Sequence, residues 1–467
     1  VKRLIALALC IFGFGLAGPG CGGQTGTLMI NIVVSPSDDP FANAVTVRVT
    51  VGDSMHVTTA PVSKGHFSVT YSRPPDSANM GPVTIEALDS AGNVIAHGST
   101  PPVSLSAMNT TVSVWVGRPG KTQPAAAALP SPRSQIAACN VAGLGADLAG
   151  GADANGKPIS DNVIYDVFTQ DVIETTMMSK PRAGAVAGPV GTVHNVVLGG
   201  LTTNNVADST MELFDPSSGL GLWSPVPVTF PARTQANAVI LASLNTLVTG
   251  GQDGKGNPLA DGAIISASGT VALTPLATSM TTPRLGHAVA AAHFSDGDGA
   301  FIFGGLAANA GTAPVSERLV NQSFSVYDVA QPNRVNATAT TMPSGDILIL
   351  GGKDSTGALA SGFAVTPNLP MAAVNPLPQA LSVAREGHTA TLTGKELVVC
   401  GGADATGTAQ ASCDVLDATS YTLKRSFMLA AARKGHAAVV LDNGLVIFAG
   451  GIGSDGNPLP SIEIYTP

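Results

Sequence analysis

Seven arginines, three histidines and four aspartates recur in phase along this 467-residue chain, and each set could do chemistry if the fold gathers it. The arginines are Arg133, Arg182, Arg233, Arg284, Arg334, Arg385 and Arg433. Seven cations around one axis would grip an acidic ligand. The competing reading is that each arginine holds backbone carbonyls or carboxylates where one repeat passes to the next. A motif present in every repeat favours that architectural role, because binding sites break symmetry. Three repeats extend the motif to Arg-x-Gly-His, giving His287, His388 and His436. Imidazoles at equivalent places in different repeats point away from one metal centre, so no metal is expected. Asp153, Asp253, Asp354 and Asp404 each stand before a glycine in an Asp-x-x-Gly spacing. The further oxygen ligands of a calcium loop are missing, and hairpin-turn chemistry accounts for them. No Ser-His-Asp order, carboxylate pair or zinc signature appears, and no cofactor is implied. Residues 306–323 form the one enlarged connection, with Glu317, Arg318 and Asn321 as its polar groups.

The elements that position these residues are marked by seven glycine doublets: Gly150-Gly151, Gly199-Gly200, Gly250-Gly251, Gly304-Gly305, Gly351-Gly352, Gly401-Gly402 and Gly450-Gly451. Their spacing is 49, 51, 54, 47, 50 and 49 residues, and each follows its arginine by 16 to 20. A period near fifty with strand-like flanks belongs to a repeat whose unit cannot bury its apolar face alone. In the last repeat, apolar runs flank Asp442-Asn443-Gly444 and end at Gly450. That is a β-hairpin, since Asn and Gly accept the positive φ its turn demands. A third strand follows, as at Tyr165, Phe214, Tyr327 and Tyr465, and a fourth leads to the next arginine.

The doublet register resembles the kelch repeat, which implies an all-β fold: a seven-bladed kelch-type β-propeller over residues 121–467, one four-stranded sheet per blade. Trp223 takes the place of the kelch tryptophan, and Tyr421 roughly does so in the sixth repeat. Aromatics are only 4% of the chain, so the blade cores must rest on Ala, Val, Leu and Ile. The resemblance also raises copper-radical oxidases similar to galactose oxidase and sugar-processing propellers similar to sialic-acid mutarotases. The former need two tyrosines and two histidines on copper, and Tyr165, Tyr327 and Tyr465 instead fill regular strand positions. Because the last repeat lacks a fourth strand, residues 123–130 are expected to supply it and close the ring.

Residues 1–20 read as a lipoprotein signal peptide: Lys2-Arg3, then an apolar stretch too short for a transmembrane helix, then small residues before Cys21. This resembles a bacterial lipobox, which makes Cys21 the lipid attachment point. It implies a membrane anchor in the cell envelope, with outer-membrane sorting; plain secretion is the alternative. Without residues 1–20 the net charge becomes −10, which excludes a nucleic-acid partner. Cys400 and Cys413 flank the sixth doublet on neighbouring strands, so the spacing allows either a disulfide or two buried thiols. Cys139 reads as an inert core residue.

Residues 25–118 lack the doublet register. Seven short alternating segments (28–34, 45–51, 66–71, 83–88, 94–98, 103–105 and 110–116) predict a β-sandwich of immunoglobulin or fibronectin type. The whole is expected to be a monomeric, envelope-anchored binding or scaffolding protein whose propeller takes a protein or glycan. A carbohydrate-active enzyme of the kelch/galactose-oxidase superfamily is the runner-up.

Overall fold

The seventh repeat shows how the local sequence sets the sheets. Val446–Ala449 is apolar at every position and buried throughout, so it must lie between two covered faces. Its partner Ala437–Val440 pairs antiparallel across the Asn443-Gly444 turn. Ser461–Thr466 adds the third strand. The computed structural model describes residues 5–9, 28–52, 57–62, 80–104, 110–191, 194–219, 221–228, 230–268, 270–307, 316–367 and 372–467.

Among these residues the chain is all-β, and from residue 121 onward it forms seven four-stranded antiparallel sheets. Six of them follow chain order. The seventh is completed from the other end, by Lys121–Ala128 pairing with Ser461–Thr466. Its register runs from Lys121 opposite Thr466 to Pro124 opposite Glu463, then shifts before Ala128. Pro124 sits in an outermost strand beside that irregularity, where its missing N–H costs little. The first strands of the sheets touch in sequence, and that of the seventh meets Ala137–Val141 of the first. The arrangement is β-propeller-like, with the cores lying between successive sheets.

Upstream, Val57–Pro61, Thr46–Val51, Val83–Leu88 and Val94–Ser99 form a four-stranded antiparallel sheet. A second sheet pairs Leu28–Val33 antiparallel with Ile5–Leu9 and parallel with Thr110–Trp115. Ile30, Ile32, Val47, Val49, Ile85, Val112 and Val114 join in one buried cluster. Val57–Pro61 was not foreseen, since Val-Thr-Thr-Ala-Pro does not alternate in polarity. The expected strand 66–71 and Cys21 lie outside the described residues.

This upstream part is fastened to the seven-sheet part. Trp115 is fully buried among Leu441, Leu445, Ile447 and Ile464, and its Nε1–H donates to Thr466 Oγ1 at 3.3 Å. Asp38 receives Arg118 at 2.7 Å and the Gln123 amide at 2.5 Å. Cys400 and Cys413 are directly opposite one another and joined in a disulfide, with Cα atoms 4.2 Å apart. That is the narrow spacing of a non-hydrogen-bonded antiparallel pair.

Candidate functional site

Each arginine is a buried clamp. All seven are between 0% and 7% exposed, so they do not line a cationic channel. In every repeat Nη1 donates to the carbonyl of the first glycine of its own doublet, from 2.7 Å at Arg182 to 3.4 Å at Arg133. The arginine's own carbonyl accepts the N–H of the second glycine of the preceding doublet. The series closes on itself, because Gly451 N–H donates to Arg133 O. The doublet is therefore the seam between sheets. At Gly401 (φ 64°) a Cβ would stand 2.6 Å from Arg433 O, so glycine is required by both conformation and space. Buried carboxylates complete several clamps: Glu212 for Arg182, Glu317 for Arg284, Asp414 for Arg385 and Glu463 for Arg433. Glu317 is thus a structural counter-ion within Ser316–Val320, not a free group of an enlarged loop. Arg318 is spent likewise, on Asp296 at 2.7 Å and over the Phe294 and Tyr327 rings. Asn321 takes a turn conformation, φ 50°.

The histidines pack on the same seams. His287, His388 and His436 each lie against the first glycine of the preceding doublet, where a Cβ would meet the ring at 2.6–2.7 Å. Nε2 faces a threonine hydroxyl: Thr249 at 2.9 Å for His287, Thr338 at 3.0 Å for His388, Thr389 at 3.0 Å for His436. The partner was encoded in the sequence, though only across repeats. Thr338 and Thr389 stand four residues after the arginine of the preceding unit; Asn237 holds that place before His287 but donates to its carbonyl at 2.7 Å.

A hydroxyl beside an imidazole has the outline of a nucleophile and base, but these pairs lack the chemistry. Burial, assisted by the nearby arginine cation, pushes all three imidazoles down to about 3. Such a ring is too weak a base to activate a hydroxyl. Nδ1 of His388 and of His436 has no partner to orient it. Folding favours the neutral rings, so their stabilisation is complete above the unfolded value of 6.5 and is lost as pH falls towards 3. These three imidazoles should therefore show no NMR titration between about pH 8 and about pH 4. A midpoint near the free value would refute their buried, neutral state.

Where the first strands begin, a cavity of about 350 Å³ opens. Its lining includes Asn237, Gly286, His287, Asn336, Thr338, Gly387, His388 and Thr389. Apart from the neutral histidines, no lining side chain is ionisable. Three of the lining residues, Gly286, Asn336 and Gly387, stand two after their arginines, a position with one backbone conformation in every repeat. All seven have positive φ: Gln135 54°, Gly184 63°, Gln235 54°, Gly286 64°, Asn336 56°, Gly387 58° and Gly435 59°. Several are chained by peptide hydrogen bonds, as from Gly387 N–H to Asn336 O. Glutamine costs more than glycine in this conformation, so Gln135 and Gln235 are strained positions. Asn336 donates to Glu386 at 2.8 Å, and Lys353 pairs with Glu386 at 2.9 Å.

The remaining candidates are dispersed. Asp153, Asp253, Asp354 and Asp404 accept backbone N–H groups within their own turns. Tyr165 and Tyr465 lie on the third strands of different sheets, whereas Tyr327, expected on a third strand, stands just past the fourth strand Ser323–Val326, because Ser316–Val320 is the third strand there. Trp223 packs on Phe214 with ring centroids 5.1 Å apart, and Tyr421 Oη donates to Asp346 at 2.6 Å. Cys139 is half-buried in Ala137–Val141, and burial raises its thiol well above the ordinary value. Among the described residues, no three His, Cys, Asp or Glu side chains gather to hold a metal ion, and no helix is long and apolar enough to cross a membrane.

No family model matches the chain, and no curated protein matches it. Among solved structures it is similar to one described as "Structure of YjhT", with 13% identity and a TM-score of 0.47. The alignment covers 62% of this chain and 97% of that one.

Proposed function

We propose that the protein is a kelch-type, seven-bladed β-propeller behind an immunoglobulin- or fibronectin-like sandwich, anchored in the cell envelope, and that the propeller binds a glycan or protein partner. The observation that carries this reading is the cavity at the start of the first strands, whose lining offers amides, hydroxyls, peptide groups and methyls but no charge, its histidines being neutral. Such a lining suits a neutral, hydrogen-bonding ligand group and supplies no acid, base or nucleophile of useful strength. Gly387 provides the test, because a Cβ there meets nothing within 4 Å and three of the six equivalent positions hold glutamine or asparagine at a similar positive φ. Gly387→Gln should fill the mouth, abolish capture on a glycan array or in a partner pull-down, and leave the unfolding temperature within about 2 °C of the parent. Unchanged capture, or turnover of a sugar substrate, would overturn the assignment.

The anchor is carried by Cys21 behind a short apolar stretch. Cys21→Ser is expected to release the protein from the detergent phase on phase partition. Equal partition of parent and variant would remove the lipid anchor from the proposal.

A further inference from the structure

One seam breaks the symmetry of the ring. Three residues before each doublet, the second strand carries Val196, Leu247, Phe301, Leu348, Val398 or Ile447, all at most 1% exposed. In the first sheet that position is Asp147, also 1% exposed. The neighbouring sheet answers with Asn195, whose Nδ2 lies 3.2 Å from Asp147 Oδ2. Asn162, on the strand beside Asp147, is near enough to favour its charged form, while its Nδ2 donates to Thr175 Oγ1 at 2.8 Å. Around them the seam is apolar, with Val141, Ile164, Val197 and Phe214, and Cys139 stands opposite Asp147 on the first strand. No cation faces the carboxylate, unlike the carboxylates that close the arginine clamps.

Three oxygens in this cluster have no hydrogen-bond partner: Asp147 Oδ1, Asn162 Oδ1 and Asn195 Oδ1. A buried carboxylate without compensation costs several kcal/mol, and the other six seams show that the fold does not need one here.

We propose that the seam between the first and second sheets binds a monovalent hard cation, sodium in its simplest form, through the carboxylate of Asp147 and the amide oxygens of Asn162 and Asn195. Oxygen donors select a hard ion, and thiol participation by Cys139 is not required. One negative charge is balanced by one positive charge, whereas a divalent ion would leave net charge in an apolar seam. A proton on Asp147 Oδ1, donated to one amide oxygen, would still leave the other amide oxygen without a partner, while a cation serves all three. Burial raises the Asp147 carboxyl to about 7, so above that pH the empty seam carries an unbalanced anion.

The test is thermal unfolding of the whole protein near pH 8 in sodium chloride and in choline chloride at equal ionic strength. The parent is expected to unfold roughly 2 °C higher in sodium, with the shift growing as sodium rises. Asp147→Leu restores the residue type of the other seams; it should unfold above the parent in choline and ignore sodium. Asp147→Asn, which keeps the shape without the charge, should ignore sodium as well. Identical midpoints in both salts for the parent would overturn the site. So would a midpoint that rises equally in both salts as pH falls from 8 to 5, because the carboxyl would then be satisfied by a proton. A response to calcium but not to sodium would overturn the monovalent assignment.

Discussion

Arg433→Ala is expected to lower the unfolding temperature by on the order of 10 °C, which follows from stranding a buried carboxylate at a cost of about 3–5 kcal/mol. Arg433 is 0% exposed and Glu463 1%. Its guanidinium reaches Gly450 O at 2.8 Å, Ser461 Oγ at 3.1 Å and Glu463 Oε1 at 2.7 Å. Glu463 also accepts the N–H groups of Ala430 and Ala431, so it cannot swing out to water without breaking that turn. Lysine would not rescue the site, since one ammonium cannot span acceptors on two strands. Arg334 is the internal control. It bonds Gly351 O, Ser361 O and Ser361 Oγ, with no carboxylate among its hydrogen-bond partners. Arg334→Ala should therefore cost clearly less. Equal losses at the two positions in urea or thermal unfolding would show that the carboxylates do not set the strength of the clamps.

The doublets and arginines were legible because each answers a demand that few residues meet. Gly401 and Gly402 stand at φ 64° and 87°, against the backbones of Arg433 and Glu386. No other residue satisfies both conformation and space, so the register survives in the sequence. The closing strand was legible through phase alone, since Pro124 and its alanine neighbours carry little strand propensity. Asp147 was not, because an aspartate among Gly, Ala and Leu reads as ordinary polar alternation until its sheet is seen covered on both faces. The threonine–histidine contacts were hidden for a related reason: Thr338 and His388 are 50 residues apart, and only the sheet-to-sheet register makes them neighbours. Trp115 looked like the end of a separate module, yet its ring belongs to the core between the seventh and first sheets. That placement changes what truncation should do.

A chain beginning at Arg133 loses Lys121–Ala128 and leaves Ser461–Thr466 as an open edge. It also loses Ala127 and Leu129 from the buried cluster that joins the last sheet to the first. An unpaired edge strand beside an exposed apolar face invites association, so this chain should aggregate or unfold far below the parent. A chain beginning at Gly120 keeps the closing strand but lacks Trp115, and deleting a buried tryptophan costs about 3–5 kcal/mol. It should remain monomeric, with a folded ring of lowered stability. The expected order is therefore parent, then the Gly120 start, then the Arg133 start, read by thermal unfolding and size-exclusion chromatography. Equal stability of the two shortened chains would mean that the ring is not locked by Lys121–Ala128. Equal stability of the parent and the Gly120 start would mean that Trp115 fills the seam without holding it.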